Sequence, residues 1–115
     1  MPWSEQTVSK PLSELEVLAL AALARLGPDA YGVLIRQEIE DRTDRSISIG
    51  SLYKALHRLE KRQFVSSQLG EPTAVRGGRA KKYIRLEPQG RDALEASIRA
   101  VFGMVSGLDI GWDRG

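Results

Sequence analysis

Ser48-Ile-Gly-Ser-Leu-Tyr-Lys-Ala-Leu-His-Arg-Leu-Glu-Lys-Arg62 is the stretch that decides how the rest of the chain is read. Leu52, Leu56 and Leu59 recur at i, i+4 and i+7, which puts them on one stripe of a helix and gives it a core-facing side. Ser48 offers an N-cap oxygen. At about 100° per residue, the opposite face carries Gly50, Lys54, His57 and Lys61, with Ser51 and Arg58 on one flank and Tyr53 on the other. That face is polar, basic and slim at its N-terminal end.

Two short extended runs follow, Phe64-Val-Ser-Ser-Gln-Leu69 and Lys81-Lys-Tyr-Ile-Arg-Leu86, joined by Gly70-Glu-Pro-Thr-Ala-Val-Arg-Gly-Gly-Arg79. Alternation turns Val65, Leu69, Ile84 and Leu86 toward the core and Lys81, Tyr83 and Arg85 the other way. Gly77 and Gly78 open backbone conformations closed to other residues and present Arg76 and Arg79 on a slender tip, which suits a phosphate or a minor groove. The expected fold is mainly α with a small β-hairpin: a winged helix-turn-helix of three helices and a two-stranded wing, followed by a C-terminal dimerisation helix. An amphipathic basic helix beside a basic hairpin points to double-stranded DNA as the partner.

Charge placement supports this more than total charge does. The whole chain is only +2. Residues 1–47 hold five basic and eight acidic side chains, residues 48–86 nine and two, and residues 87–115 three and five. The surplus therefore lies entirely on the helix and hairpin, the footprint expected of phosphate binding. A basic face that binds an acidic protein partner would look similar, so a winged-helix interaction module without DNA binding is the rival reading.

At 115 residues the chain is long enough for one domain with a modest core. It has no cysteine, which rules out disulfides and thiolate metal sites and fits a reducing compartment. The sequence shows no apolar run of membrane-spanning length and no charged-then-apolar leader, and predicts a soluble cytoplasmic protein. Its one histidine, His57, has no acidic residue at i±4, and no paired-carboxylate or metal-ligand spacing occurs. The expectation is no catalytic residue, no metal and no cofactor.

In chain order, residues 1–12 form an arm without periodicity, bounded by Pro2 and Pro11 and containing Trp3. The winged-helix domain spans 13–86. Ser13-Glu-Leu-Glu16 fits a capping box. The helix from there to about Leu26 is apolar almost all round and needs cover on several sides. Gly27-Pro-Asp29 ends it, with Asp29 as the expected N-cap of a second helix whose buried stripe is Tyr31, Leu34, Ile35 and Ile39, while Arg36, Glu38, Glu40 and Asp41 face water. In the polar connection Thr43-Asp-Arg-Ser-Ile47, Ile47 is the plug into the core. After Pro88, a first-turn residue, a helix over 87–108 carries Leu94, Ile98, Val101, Val105 and Leu108 at heptad-like spacing, read as an intersubunit seam in preference to one that only closes the chain's own core. Gly103 and Gly107 weaken its far end. Residues 109–115, with Trp112, are a tail.

Leu12-Ser-Glu-Leu-Glu-Val-Leu-Ala-Leu20, Tyr31-Gly32, Gly50-Ser-Leu-Tyr-Lys-Ala-Leu-His-Arg-Leu-Glu60, Gly77-Gly-Arg79 and Lys82-Tyr-Ile-Arg-Leu86 with Gly90 resemble the PadR family of bacterial transcriptional regulators, over about residues 12 to 100. The resemblance implies a winged-helix homodimer, often a repressor, that pairs through its C-terminal helix. Relatives regulate phenolic-acid detoxification and multidrug efflux, which implies a small aromatic or hydrophobic effector as a further partner. The chain resembles the small, single-domain members. It departs from them at Glu87, where a Thr that caps the last helix is common, and at Ile84, where an aromatic is common.

Overall fold

The computed structural model describes residues 10–70 and 81–110. The chain runs α1 (Glu14–Leu26), a 3-10 turn (Gly27–Asp29), α2 (Gly32–Thr43), α3 (Ile49–Lys61), β1 (Val65–Leu69), β2 (Lys82–Leu86) and α4 (Pro88–Val105). Helix α1 is the centre of the packing. It opens with the expected capping box, in which Ser13 Oγ accepts from the Glu16 N–H at 3.1 Å and Glu16 Oε1 accepts from the Ser13 N–H at 2.8 Å. Apolar almost all round, it is surrounded: α2, α3, α4 and β2 all pack on it, and Glu14, Ala24 and Arg25 are its exposed residues. Ala19, Leu20, Ala22 and Leu23 are almost wholly enclosed.

Asp29 does not cap α2. It lies in the 3-10 turn, so the helix starts later, at Gly32, with Tyr31 in the N-cap position and no side chain bonded to the exposed N–H groups. Ile35 and Ile39 are buried, and Tyr31 and Leu34 are half-buried. The polar side of α2 is also partly covered, because Glu38 and Glu40 are engaged, while Asp41 stays exposed. Glu40 accepts the Ile47 backbone N–H at 2.8 Å, which fixes the connection just before α3 and seats Ile47 in the core.

Helix α3 is amphipathic as expected. Ser48 caps it by accepting from the Ser51 N–H at 3.0 Å, and Leu52, Ala55, Leu56 and Leu59 form its buried side. It ends where Gln63 adopts a left-handed conformation at φ 64°. The hairpin is antiparallel, with Val65 opposite Leu86, Ser67 opposite Ile84 and Leu69 opposite Lys82. Val65 and Ile84 are buried and Leu86 is half-buried, but Leu69 is 69% exposed. Leu69 has the inward parity, yet the hairpin has run past the core by that point and has nothing to cover it. The wing is rooted on the link between the 3-10 turn and α2: the Ile84 N–H donates to the Ala30 carbonyl at 2.8 Å, and Tyr31 forms an isolated bridge with Tyr83.

Helix α4 begins with Pro88 in its first turn. Glu87 makes no side-chain cap; its carboxylate instead accepts from Ser66 Oγ at 2.6 Å. Leu94 is 6% exposed and belongs to the chain's own core, so its surface is already used. Helix α4 stops at Val105, and Leu108 lies beyond it, after the left-handed Gly107 at φ 88°. Ile98, Val101, Phe102 and Met104 are each more than half exposed. Among the described residues, no helix is long and apolar enough to cross a membrane.

Candidate nucleic-acid interface

The buried stripe of α3 fixes which side faces out. Gly50, Lys54, His57 and Lys61 are all exposed, and a Cβ placed on Gly50 would meet nothing within 4 Å. This leaves the start of α3 bare of side chains, so another molecule can approach its backbone closely. On one flank, Ser48 Oγ and Ser51 Oγ hydrogen-bond each other at 2.9 Å, and both residues are exposed. Arg58 lies on the same flank, with its Nε donating to Glu16 Oε2 at 2.9 Å and half its side chain exposed.

The other flank meets the start of α2. The Tyr53 ring lies over Gly32, where a Cβ would sit 2.3 Å from the phenol oxygen. Tyr31 and Tyr83 meet edge to face at 5.9 Å, and the Lys81 ammonium sits 5.2 Å from the Tyr31 ring centre, within cation–π range. All three tyrosines of the chain thus gather beside an uncapped helix N-terminus, whose N–H groups and dipole favour anions. Sequence reading names Tyr53 and Lys81 as candidate DNA contacts; it does not name Tyr31 and Tyr83, which read there as core and as a strand position.

Ion pairing separates the two kinds of positive charge. In residues 1–47, Arg25, Arg36, Arg42 and Arg45 each face a glutamate: Glu38 for Arg25 and Arg42, Glu40 for Arg36, and Glu14 for Arg45. These bonds hold the glutamates below the ordinary carboxylate value, chiefly the Arg45 bond for Glu14, the Arg42 bond for Glu38 and the Ile47 N–H for Glu40. Among the described residues of the basic segment, only Arg58 has an acidic partner. Lys54, Lys61, Lys81, Lys82 and Arg85 are exposed and outside any ion pair, so their charge reaches solvent uncompensated. Arg62 is stacked 4.7 Å from the Phe64 ring centre and donates to the Lys10 carbonyl at 2.9 Å. Arg76 and Arg79 lie outside the described residues.

The third side chain unforeseen from sequence is Glu16. Its place in a capping box was plain, but it is 5% exposed and carries Arg58 on its other oxygen. Burial works to raise its pKa, yet the Ser13 N–H and the Arg58 guanidinium prevail and hold it below the ordinary value. Among the described residues, no cluster of histidine and acidic side chains has the arrangement of a metal site.

A three-helix head with a two-stranded wing on the last of its helices, presenting an unpaired basic face, defines a winged helix-turn-helix protein. Residues 19–96 match the transcriptional regulator PadR-like family, and the chain belongs to that family. A transcriptional regulator from Clostridium thermocellum superposes with a TM-score of 0.67 at 27% identity, covering 78% of this chain and 82% of that one. A PadR family transcription regulator from Clostridium difficile gives 0.64 at 26% identity, over 83% and 100%. A protein of Lysinibacillus sphaericus is 34% identical over 76 residues, which are 64% of this chain and 67% of its own length.

Proposed function

We propose that this chain is a sequence-specific DNA-binding repressor that acts as a homodimer and is released by a small apolar molecule. The observation that carries the reading is the outer face of α3, where exposed, unpaired Lys54, His57 and Lys61 lie opposite the buried leucines. Lys54 and His57 contact base edges. Gly50 allows close approach, while Ser48, Ser51 and the first amides of α3 bind phosphate. Tyr53, Arg58 and Lys61 also contact phosphates and set position more than sequence. Lys81 at the loop end of the wing, with Arg76 and Arg79, anchors the hairpin to the backbone.

Dimerisation through α4 is supported by Ile98, Val101 and Met104, apolar side chains exposed in a single chain. The proposed dimer sets two α3 helices into successive major grooves of a pseudo-palindromic operator, about 34 Å apart. Beside α4 an apolar groove of about 370 Å³, lined by Val17, Ile98, Val101, Phe102 and Val105, suits a small aromatic or hydrophobic effector.

The test is fluorescence anisotropy with labelled DNA from upstream of the protein's own gene, repeated at several salt concentrations. A binding constant that falls steeply and log-linearly with salt is expected. Absence of binding even at low salt would overturn the DNA reading in favour of a protein-binding module. Sedimentation equilibrium of the free protein checks the dimer.

A further inference from the structure

We propose that Glu16 is a positioning residue for DNA contact: it grips one edge of the Arg58 guanidinium so that the outer nitrogens are held out toward a backbone phosphate. The inference rests on the DNA-binding reading above and adds to it a residue from outside α3 and the wing. Three observations carry it.

Glu16 is more than its capping role requires. A glutamine at the third helical position completes a capping box as well as a glutamate, so the cap does not call for a charge. A buried carboxylate is costly unless paired. Here Oε1 accepts from the Ser13 N–H at 2.8 Å and Oε2 from Arg58 Nε at 2.9 Å, across 42 residues of sequence. The anion is thus fixed from two sides and cannot turn away from Arg58.

Arg58 is used at one edge only. Of the donors on its planar guanidinium, Nε–H is taken by Glu16, and the terminal nitrogens have no acceptor among the described residues. Because the group is rigid and planar, fixing Nε fixes where the remaining donors point. A solvent-exposed arginine must otherwise give up rotamer freedom when it binds a phosphate; Glu16 has already removed it.

The surroundings suit an anion. Arg58, Lys61 and Arg62 line one groove with Lys10 and Ser13, next to Glu16. Arg58 and Arg62 are one helical turn apart, so the flank is cationic even with one carboxylate behind it. A duplex whose major groove receives Lys54 and His57 runs its backbone along this flank of α3.

The experiment measures binding of the full chain to a labelled mixed-sequence DNA duplex several turns long, across a salt series, for wild type, Glu16→Gln, Arg58→Ala and the double variant. Gln keeps the capping box and loses the Arg58 pair. Arg58→Ala is expected to flatten the salt slope by about one unit. Glu16→Gln is expected to weaken low-salt binding about threefold to tenfold, the scale of one net hydrogen bond, and to change nothing further once Arg58 is Ala. Independent, additive losses, or tighter binding by Glu16→Gln, would overturn the proposal, the latter because it would mean that Glu16 withholds Arg58 from DNA. Should circular dichroism show Glu16→Gln melting below the assay temperature, Arg58→Lys replaces it. That variant keeps the charge without the planar fork, and wild-type affinity from it overturns the role. Wild type that ignores the duplex at low salt sinks the DNA reading itself, whereas wild-type binding with additive losses sinks only Glu16.

Discussion

Gly90, in the first turn of α4, rests directly on the Phe64 carbonyl: a Cβ there would lie 2.1 Å from that oxygen. The same carbonyl accepts the Glu87 N–H at 3.0 Å, so one peptide group at the root of the wing both anchors and abuts the start of α4. Backbone cannot step aside as a side-chain tip can. Gly90→Ala is therefore expected to cost about 1–3 kcal/mol, the usual scale of overpacking, and to lower the melting temperature. An unchanged melting curve would mean that α4 is not seated this way.

Gly50 is the opposite case, with open space where its side chain would be. Replacing it with Ala removes a helix penalty of up to about 1 kcal/mol. A higher melting temperature together with weaker DNA binding is the expected pair of outcomes. Improved stability with unaltered binding would exclude close approach of DNA at the start of α3.

On α4, Ile98 and Val101 are 53% and 61% exposed while Leu94 is enclosed. Ile98→Glu should leave the far-ultraviolet spectrum unchanged and convert a dimer to a monomer, as read by light scattering on a sizing column. Leu94→Glu should unfold the chain. If Ile98→Glu leaves the mass unaltered, the exposed face of α4 is not the pairing surface.

Lys54 and Lys61 share a face but are assigned different tasks. Lys54→Ala should reduce the preference for operator over mixed-sequence DNA by about tenfold, the worth of one base contact. Lys61→Ala should weaken both alike and flatten the salt slope. Competition anisotropy distinguishes them, and an unaltered operator preference in Lys54→Ala removes it from base reading.

Glu14, Glu16, Glu38 and Glu40 are all held below the ordinary value of 4.5 in the folded chain. Their folded values lie under the unfolded ones, so their contribution is complete above about pH 4.5 and drains away as pH falls through the folded values. The melting temperature should therefore be level near neutrality and drop in acid below that point. Glu16→Gln should make the acid limb shallower, since one of the four groups no longer titrates; an acid limb as steep as wild type would show that Glu16 is not bound as described.

What the sequence disclosed was local. The Ser13–Glu16 box, the leucine stripe of α3 and the Ile47 plug each depend on neighbours within a turn or two, and spacing alone reveals them. What it hid depended on distance. Alternation along β1 assigns Leu69 inward, but only the assembled core tells where cover ends. A seam on α4 reads the same whether its cover is the chain's own α1 or a second copy, so Leu94 and Ile98 were indistinguishable until the helix was placed. Asp29 has the chemistry of an N-cap, yet the 3-10 turn consumed it. Glu16 already had a sufficient local reason to be glutamate, and that reason concealed its partner in α3.

The bond from Ile84 to Ala30 and the Tyr31–Tyr83 bridge deny the wing an independent hinge at its base. Tilting the hairpin drags the front of α2, and with it the Tyr53 ring that overlies Gly32. On the proposed reading, each head meets a duplex as one undeformed block. In the proposed dimer, a signal acting between the α4 helices has a single variable to adjust: the distance and angle between two such blocks.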